Sequence, residues 1–221
     1  MTDKNFILLF LLTSLLHLSG FAQQITTEQG KKTNAGKNIE HNILYQFGMA
    51  NAFLSGLYKG SMSIGDLKKH GDFGIGAPDM LDGELIMNKG TMYQTSFTGK
   101  TSVVSDSVKT SLSFVCFFDA DTTFYSQNIQ DKEKALKWID SFLNNKNGIY
   151  AIRISGIFEY VKTRAFPPVE KEPFVNLVSM MNKQHFFESQ KIKGVFAGFK
   201  IPSFLAGTSI PDFHFFILFR Q

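Results

Sequence analysis

The residues with the clearest potential for metal chemistry lie near the end of the sequence, where 211–219 have the alternation of a β-strand. In a strand, residues i and i+2 project from the same face, so two histidines at that spacing can share one metal ion. His214 occupies the first such position, but the second is Phe216. One imidazole does not supply the three protein ligands of a typical catalytic zinc site. The sequence therefore predicts an incomplete metal site on this strand.

An arginine and a cysteine also lie within apolar, strand-like runs. Arg153 stands between two isoleucines. Such an arginine either extends its charged end to the rim of a sheet or faces a pocket and binds an anion, and both alternatives remain open. We interpret Cys116 as a small buried apolar residue, with a nucleophilic thiol as the less favoured alternative. A single cysteine also cannot form an internal disulfide.

Two glycine-containing segments stand out in the first half of the chain. They are HGDFGIG at 70–76 and LDGEL at 81–85. Their glycine spacing is not typical of a phosphate-binding loop, because no Lys-Ser/Thr pair follows and no helix is predicted to begin there. The net charge of +4 is spread over scattered lysines, which does not indicate a nucleic-acid-binding surface.

The elements that must position these residues follow from hydrophobic periodicity. The pattern predicts an α+β fold, with mixed or antiparallel sheets in two lobes that meet near 145–148. We expect helices at 44–58, 63–69, 131–143 and 174–182. We expect strands at 70–76, 79–87, 91–97, 111–118, 122–126, 149–163, 185–200 and 211–219. In addition, Asn88-Lys89-Gly90 predicts a tight hairpin, 111–118 is expected to pair with 122–126, and Gly156 suggests a bulge or a bend.

The N-terminus has the pattern of a secretory signal peptide. Lys4 precedes an apolar run of 13 residues at 6–18, and a small-x-small cleavage pattern ends at Ala22. A membrane span needs roughly 20 apolar residues, so no stable membrane anchor is expected. The alternative is a buried N-terminal helix. We therefore expect an exported protein, periplasmic or extracellular. Its expected segments are a signal peptide (1–22), a flexible leader (23–42), an N-terminal α+β lobe (43–147) and a β-rich C-terminal lobe (148–221).

Several motifs in a fixed order resemble one known family, that of alpha-acetolactate decarboxylase, from about residue 44 to residue 218. The motifs that carry the resemblance are at 57–60, 70–76, 81–85, 150–153, 158–164 and 194–199. The resemblance implies a two-lobed fold and a lyase that converts (S)-2-acetolactate to (R)-acetoin and carbon dioxide. Relatives of this kind are typically dimers, so a homodimer is a further expectation.

The resemblance also implies roles for individual residues. The family holds zinc with three histidines, and the metal chelates the ketone and hydroxyl oxygens of the substrate as a Lewis acid. Glu84 would be the carboxylate that shuttles or orients protons. Arg153 would bind the substrate carboxylate, with Leu81 beside the substrate. The alternative for Glu84 and Arg153 is a structural ion pair.

The chain departs from the family pattern at the metal site. His214 matches the first ligand, Phe216 stands at the second, and the sequence ends at Gln221 before the segment expected to supply the third histidine. Neither His70 nor His185 has a spacing that suggests convergence on His214. We therefore expect a truncated C-terminal lobe in which His214 is a remnant ligand.

Two functions of different classes follow. The first is zinc-dependent decarboxylation of 2-acetolactate. The alternative is a catalytically inactive exported scaffold or small-acid-binding protein, because the second and third metal histidines are missing. A third interpretation, an unrelated exported β-rich binding module, is disfavoured by the ordered motifs.

Overall fold

The chain folds into two antiparallel β-sheets with a few short helices. The computed structural model describes residues 16–17, 23–27, 42–126, 129 and 131–219. The strand order of the first sheet is β3 (Tyr45–Phe47), β9 (Lys109–Cys116), β5 (Phe73–Pro78), β6 (Glu84–Asn88), β7 (Thr91–Thr95) and β8 (Thr101–Val103), and β4 (Met62–Ser63) also pairs with β9. The strand order of the second sheet is β10 (Thr122–Ser126), β2 (Gln23–Thr27), β11 (Tyr150–Ala165), β12 (His185–Ile201) and β13 (Asp212–Phe219), and β1 (Leu16–His17) also pairs with β11. The α+β prediction with antiparallel sheets is confirmed.

The helices are short and lie on the outer faces or at the ends of the sheets. The α-helices are α1 (Ala50–Leu54), α2 (Ile64–Leu67) and α3 (Lys132–Asp140). Single 3-10 turns or short 3-10 helices cover Asp79–Leu81, Leu177–Lys183 and Ser203–Leu205. Ser63 and Asp131 cap the N-termini of α2 and α3, because their side chains accept hydrogen bonds from the backbone N–H three residues later.

The two sheets pack face to face around a shared apolar core. The second sheet contributes Ala197 and Phe199, and the first contributes Phe73 and Phe114. The opposite face of the second sheet packs against α3, and the opposite face of the first packs against α2. Successive residues of a strand point to opposite faces, so each sheet supplies one face to the shared core and one to a helix.

The register of the second sheet decides which side chains of β13 enter the shared core. It aligns Ala151, Phe199 and His214 in one row across β11, β12 and β13, and Arg153, Ala197 and Phe216 in the next. Directly opposed residues in an antiparallel pair project from the same face. His214 and Phe216 therefore point toward the first sheet, as their i, i+2 spacing predicts.

Two expectations about elements are wrong, and one of two alternatives for a third is excluded. The helix predicted at 44–58 is instead strand β3 followed by the five-residue α1, because Gly48 between them has a φ of +80°. The strands at 111–118 and 122–126 do not pair with each other, since β9 belongs to the first sheet and β10 to the second. No bulge occurs at Gly156, which pairs with Gly194 in an unbroken register.

The N-terminal expectations lie mostly outside the described residues. Of the segment interpreted as a signal peptide, only Leu16–His17 is described, as a strand, and Ala22 falls outside the described part. Within the leader that we expected to be flexible, Gln23–Thr27 forms a strand between β10 and β11. Among the described residues, no helix has the length and apolar character needed to cross a membrane.

Candidate active site

Glu84 is positioned by a tight loop at the start of β6. Met80, Leu81 and Gly83 all have positive φ angles, of 59°, 69° and 78°. Only glycine fits at the last of these positions, because a β-carbon there would lie 1.9 Å from the carbonyl oxygen of Thr95. The loop therefore reverses the chain within a few residues and begins β6 with the carboxylate of Glu84.

Hydrogen bonds fasten this loop to a segment that follows β11. The backbone N–H of Gly83 donates to the carbonyl oxygen of Phe166 at 3.2 Å, and that of Val169 donates to the carbonyl oxygen of Met80 at 2.9 Å. These bonds hold the residue before Glu84 close to the end of β11. The turn that carries the carboxylate is thereby fixed against the strand that carries an arginine.

The motif at 57–60 supports the same loop from its other side. The N–H of Gly60 donates to a carboxylate oxygen of Asp79 at 2.7 Å. The N–H of Met80 donates to the carbonyl oxygen of Tyr58 at 3.0 Å. A motif that carries no chemistry of its own therefore acts by holding the backbone that presents Glu84.

Arg164 is the arginine that lies beside Glu84. It is the second-last residue of β11, and its Nη1 donates to the side-chain oxygen of Gln184 at 3.1 Å. Its guanidinium also lies 6.0 Å from the ring centre of Phe166. The side chain is thus held between a polar amide and an aromatic face, an arrangement that suits a planar guanidinium.

His214 is 4% exposed and lies in the middle of the shared core. Its Nδ1 is buried and has no hydrogen-bond partner among the described residues. The ring of Phe216 lies 5.0 Å from the imidazole, centre to centre, at an angle of 64°. An imidazole nitrogen in this position retains a lone pair or a proton for a bound molecule or ion.

Two cavities meet at these residues. The larger is open to solvent, and its polar lining comprises Glu84, Thr95, Thr163, Arg164 and His214. The smaller is lined by Leu81 among other apolar residues. Glu84, His214, Phe166 and Phe216 line both. These four side chains therefore form the wall between the cavities.

Burial sets the charge state of this wall. It raises the pKa of Glu84 to about 8, although the positive charge of Arg164 partly opposes the rise. Burial also lowers the pKa of His214 to about 4, and the charge of Arg164 lowers it further. The pKa of Arg164 itself is lowered by burial, partly offset by Glu84. At neutral pH the site therefore holds a protonated carboxyl group, a neutral imidazole and a guanidinium cation.

A comparison with known families places the whole fold in one of them. The sequence model of the family described as alpha-acetolactate decarboxylase matches residues 44–221. The chain belongs to the alpha-acetolactate decarboxylase family. The resemblance carried by the sequence motifs is thereby confirmed.

Individual members of the family agree with this assignment. The chain is 34% identical over 206 residues to the alpha-acetolactate decarboxylase of Methanosarcina mazei, covering 89% of this chain and 71% of that protein. It is 32% identical to that of Brevibacillus brevis, covering 90% and 72%. Its fold is similar to the crystal structure of alpha-acetolactate decarboxylase from Bacillus subtilis strain 168, with a TM-score of 0.77 and 30% identity over 80% of this chain and 75% of that chain.

The described residues do not fit the three-histidine zinc site that the family resemblance implies. His214 offers a buried nitrogen suited to a metal, and Glu84 lines the same cavities. The ring of Phe216 occupies the same face as His214, where the second imidazole is expected. Within the part of the chain that the structure describes, no group of three or more His, Cys, Asp or Glu side chains could hold a metal together.

The structure brings together most of the predicted site residues of this family member. Glu84 and His214 line both cavities, and Leu81 lines the smaller one. Arg153 lines neither, because it is separated from Phe216 by Ala197 on the intervening strand. Two strand spacings, about 10 Å, separate the backbone of Arg153 from that of Phe216.

Sequence reasoning missed Arg164. Both arginines lie on β11, and both belong to motifs that carry the family resemblance. The available signal was the position of Arg164 at the end of a strand, directly before the buried Ala165 and Phe166. The other two histidines considered line neither cavity, and their rings pack elsewhere: His70 stacks on Tyr45 and His185 packs against Phe97.

Proposed function

We propose that this chain decarboxylates 2-acetolactate, giving acetoin and carbon dioxide. The observation that carries the proposal is that Glu84 and His214, in the wall between the cavities, line the same cavity as Arg164. The chain that holds them belongs to the alpha-acetolactate decarboxylase family. Named members from Methanosarcina mazei and Brevibacillus brevis match over most of this chain. A buried acid beside a fixed cation suits a small anionic substrate that must gain a proton.

The chemistry of the substrate defines what the site must do. 2-Acetolactate carries a ketone beside the carbon that loses carbon dioxide. When that carbon–carbon bond breaks, its electron pair forms an enediolate whose charge lies on the former ketone oxygen. A proton must reach the carbon that lost carbon dioxide, and the ketone re-forms as acetoin is completed. The site therefore needs one group that binds the anion and one that supplies a proton.

Glu84 and Arg164 fit these two roles. Arg164 binds the substrate carboxylate and keeps the negative charge within the cavity. Glu84 is protonated at neutral pH, donates its proton to the enediolate and recovers one from solvent. The apolar walls disfavour a charged carboxylate relative to neutral carbon dioxide, which favours the bond-breaking step. No step is assigned to zinc, because among the described residues His214 alone brings an imidazole to these cavities and no group of three ligands forms.

A second function is favoured by one observation. Phe216 places an aromatic ring, rather than a second ligand, beside His214. A chain that cannot complete the reaction would still present Arg164 to a small acid. The alternative is therefore a binding protein for small hydroxy-keto acids that releases no carbon dioxide.

The two functions differ in turnover and can be separated with one substrate. Purified protein is incubated with 2-acetolactate, with and without added Zn²⁺, and carbon dioxide and acetoin are both measured. We expect equal amounts of the two products, and a loss of about 10²-fold or more in Glu84→Gln. Glu133→Gln is the matched control, because Glu133 is exposed on α3. Saturable binding without either product would support the alternative, and neither binding nor turnover would overturn both.

A further inference from the structure

Gln184 is bonded to Arg164 but lines neither cavity. Its side-chain oxygen accepts a hydrogen bond from Nη1 of Arg164 at 3.1 Å, and its Nε2 donates to the sulfur of Met181 at 3.2 Å. The proposed reaction gives this amide no chemical role of its own. Gln184 is therefore placed to act on a bound molecule through Arg164 rather than by direct contact.

The two partners of Gln184 require the same orientation of its amide group. A guanidinium only donates hydrogen bonds, so the amide must present its oxygen to Arg164. A thioether sulfur only accepts them, so the amide must present its nitrogen to Met181. An amide turned by half a rotation would lose both bonds. The direction in which the oxygen of Gln184 points is thereby fixed.

The backbone of Gln184 is held by the elements on either side of it. The preceding 3-10 helix, Leu177–Lys183, buries Leu177 and Met180 in the shared core. The following strand, β12, pairs with the end of β11 that carries Arg164. The amide is therefore fixed in position as well as in direction.

A fixed acceptor matters to a guanidinium because this group is planar. The bond to Gln184 and the ring of Phe166, whose centre lies 6.0 Å from the guanidinium, together set the plane of Arg164. A carboxylate accepts two parallel hydrogen bonds from a guanidinium only when the two groups share nearly one plane. The amide is also neutral, so it orients Arg164 without cancelling the positive charge that attracts an anion.

We propose that Gln184 is a positioning residue, which orients Arg164 so that its guanidinium binds the carboxylate of a small 2-hydroxy acid through two parallel hydrogen bonds. This inference rests on the proposed function in taking Arg164 as the group that binds the substrate carboxylate. Loss of the amide oxygen leaves the charge of Arg164 in place but allows its plane to turn. The affinity for the acid should therefore fall.

A stable acid without the ketone measures this effect independently of turnover. Calorimetric titration follows the binding of 2-hydroxy-2-methylpropanoate to the full chain. Gln184→Ala and, separately, Gln184→Met, which keeps the bulk of the side chain, should weaken binding about tenfold, because each removes an acceptor from a charged donor. Gln190→Ala is the matched control and should leave the affinity unchanged, because Gln190 is exposed on β12 and lines neither cavity.

The same substitution in an Arg164→Lys background separates positioning from a purely structural role. The ammonium group of lysine has no plane for Gln184 to fix. Gln184→Ala should therefore weaken binding by about twofold or less in that background. If the chain forms acetoin, Gln184→Ala in the natural background should also raise KM about tenfold, with a smaller change in kcat.

Three results would overturn the role of Gln184. They are an unchanged affinity in both Gln184 variants, equal losses in the two backgrounds, and a natural chain that does not bind the acid. If one of the two variants does not fold, as judged by its melting transition, the other decides. Tenfold weaker binding in a chain that forms no acetoin would leave this inference standing and contradict the decarboxylation. Production of acetoin with the natural affinity and KM in Gln184→Ala would do the reverse.

Discussion

At the scale of single residues, the wall between the cavities is electrostatically costly to the fold. Glu84 is ionised in water at neutral pH but is held protonated in the folded chain, because burial raises its pKa from 4.5 to about 8. The contribution of Glu84 to the free energy of unfolding is therefore fully present below pH 4.5 and is lost as the pH rises toward 8. His214 acts in the opposite direction. Its pKa falls from 6.5 to about 4, so its contribution is present above pH 6.5 and is lost toward pH 4.

Glu84→Gln should therefore remove a pH-dependent loss of stability. We expect the free energy of unfolding of the natural chain to fall between about pH 5 and pH 8. The free energy of unfolding of the variant should fall less over this range, by as much as a few kcal/mol. This figure follows from about 1.4 kcal/mol for each unit of pKa shift. Urea denaturation at a series of pH values measures this difference. Glu133→Gln, at an exposed position, should follow the natural chain. Parallel profiles for Glu84→Gln and the natural chain would contradict the assignment of a buried acid.

Phe216→His should give the site enough ligands for zinc. His214 and the new imidazole would project from the same face of β13, and Glu84 lines the same cavities. Two histidines and one carboxylate form a ligand set known in catalytic zinc sites. We expect the dialysed variant to retain close to one zinc per chain, more than the natural chain does. The measurement is elemental analysis.

A distant histidine provides the control for that experiment. Phe204 is 69% exposed on the surface, so Phe204→His adds an imidazole without bringing it to His214. Equal zinc contents in the two variants would show that the gain is non-specific. They would also show that the geometry of β13 does not present its two positions to one ion.

At the scale of elements, the loop before β6 determines where Glu84 lies. Its backbone is constrained by Gly83, whose N–H donates a hydrogen bond to the carbonyl oxygen of Phe166. Because Gly83 has no side chain, the carbonyl oxygen of Thr95 can lie close to its backbone. Gly90, in the hairpin between β6 and β7, has a similar φ of 74°, but a β-carbon added there would meet no atom within 4 Å. Alanine substitutions at the two glycines therefore distinguish the cost of a positive φ from the added cost of a steric clash.

Gly83→Ala should be more damaging than Gly90→Ala. We expect Gly90→Ala to lower the free energy of unfolding by about 1 kcal/mol, the cost of a positive φ for alanine. Gly83→Ala adds a clash at 1.9 Å and should cost about 3 kcal/mol or more. Urea denaturation measures both, and the production of acetoin should fall only in Gly83→Ala. Equal losses of stability would argue against the close approach of Thr95.

Several elements were predictable because their signals are local. The hairpin at Asn88–Thr91 needs only Lys89 and Gly90 at positive φ, and α3 needs only an Asp131 cap and an apolar face. The helix predicted at 44–58 was wrong, because its apolar spacing was compatible with two different elements. The pairing of β9 with β10 was wrong because proximity along the chain did not indicate that β10 joins the other sheet.

At the scale of the whole molecule, the two sheets depend on one core. The ring of Phe199, on the second sheet, lies 6.0 Å from that of Phe73 and 6.5 Å from that of Phe114, both on the first. It is 1% exposed. Neither sheet buries its inner face without the other, so the two should unfold together.

Phe199→Ala should destabilise both sheets at once. Loss of a buried phenyl group costs about 3–5 kcal/mol, whereas Phe204→Ala on the surface should change the free energy of unfolding by about 0.5 kcal/mol or less. Fluorescence of Trp138 on α3 reports the second sheet, and far-UV circular dichroism reports both. We expect the two urea transitions to coincide and to shift together. Separate transitions would indicate that the sheets unfold independently.

The sequence by itself determined the family, the α+β class with mixed or antiparallel sheets, and the side-by-side placement of His214 and Phe216. These depend on ordered motifs, on alternation within a strand and on caps within a few residues. The tertiary structure alone decided that Arg164, rather than Arg153, lies beside Glu84. The reason is physical: the register of three strands and the bonds between two distant loops set which side chains converge, and no local pattern encodes that distance.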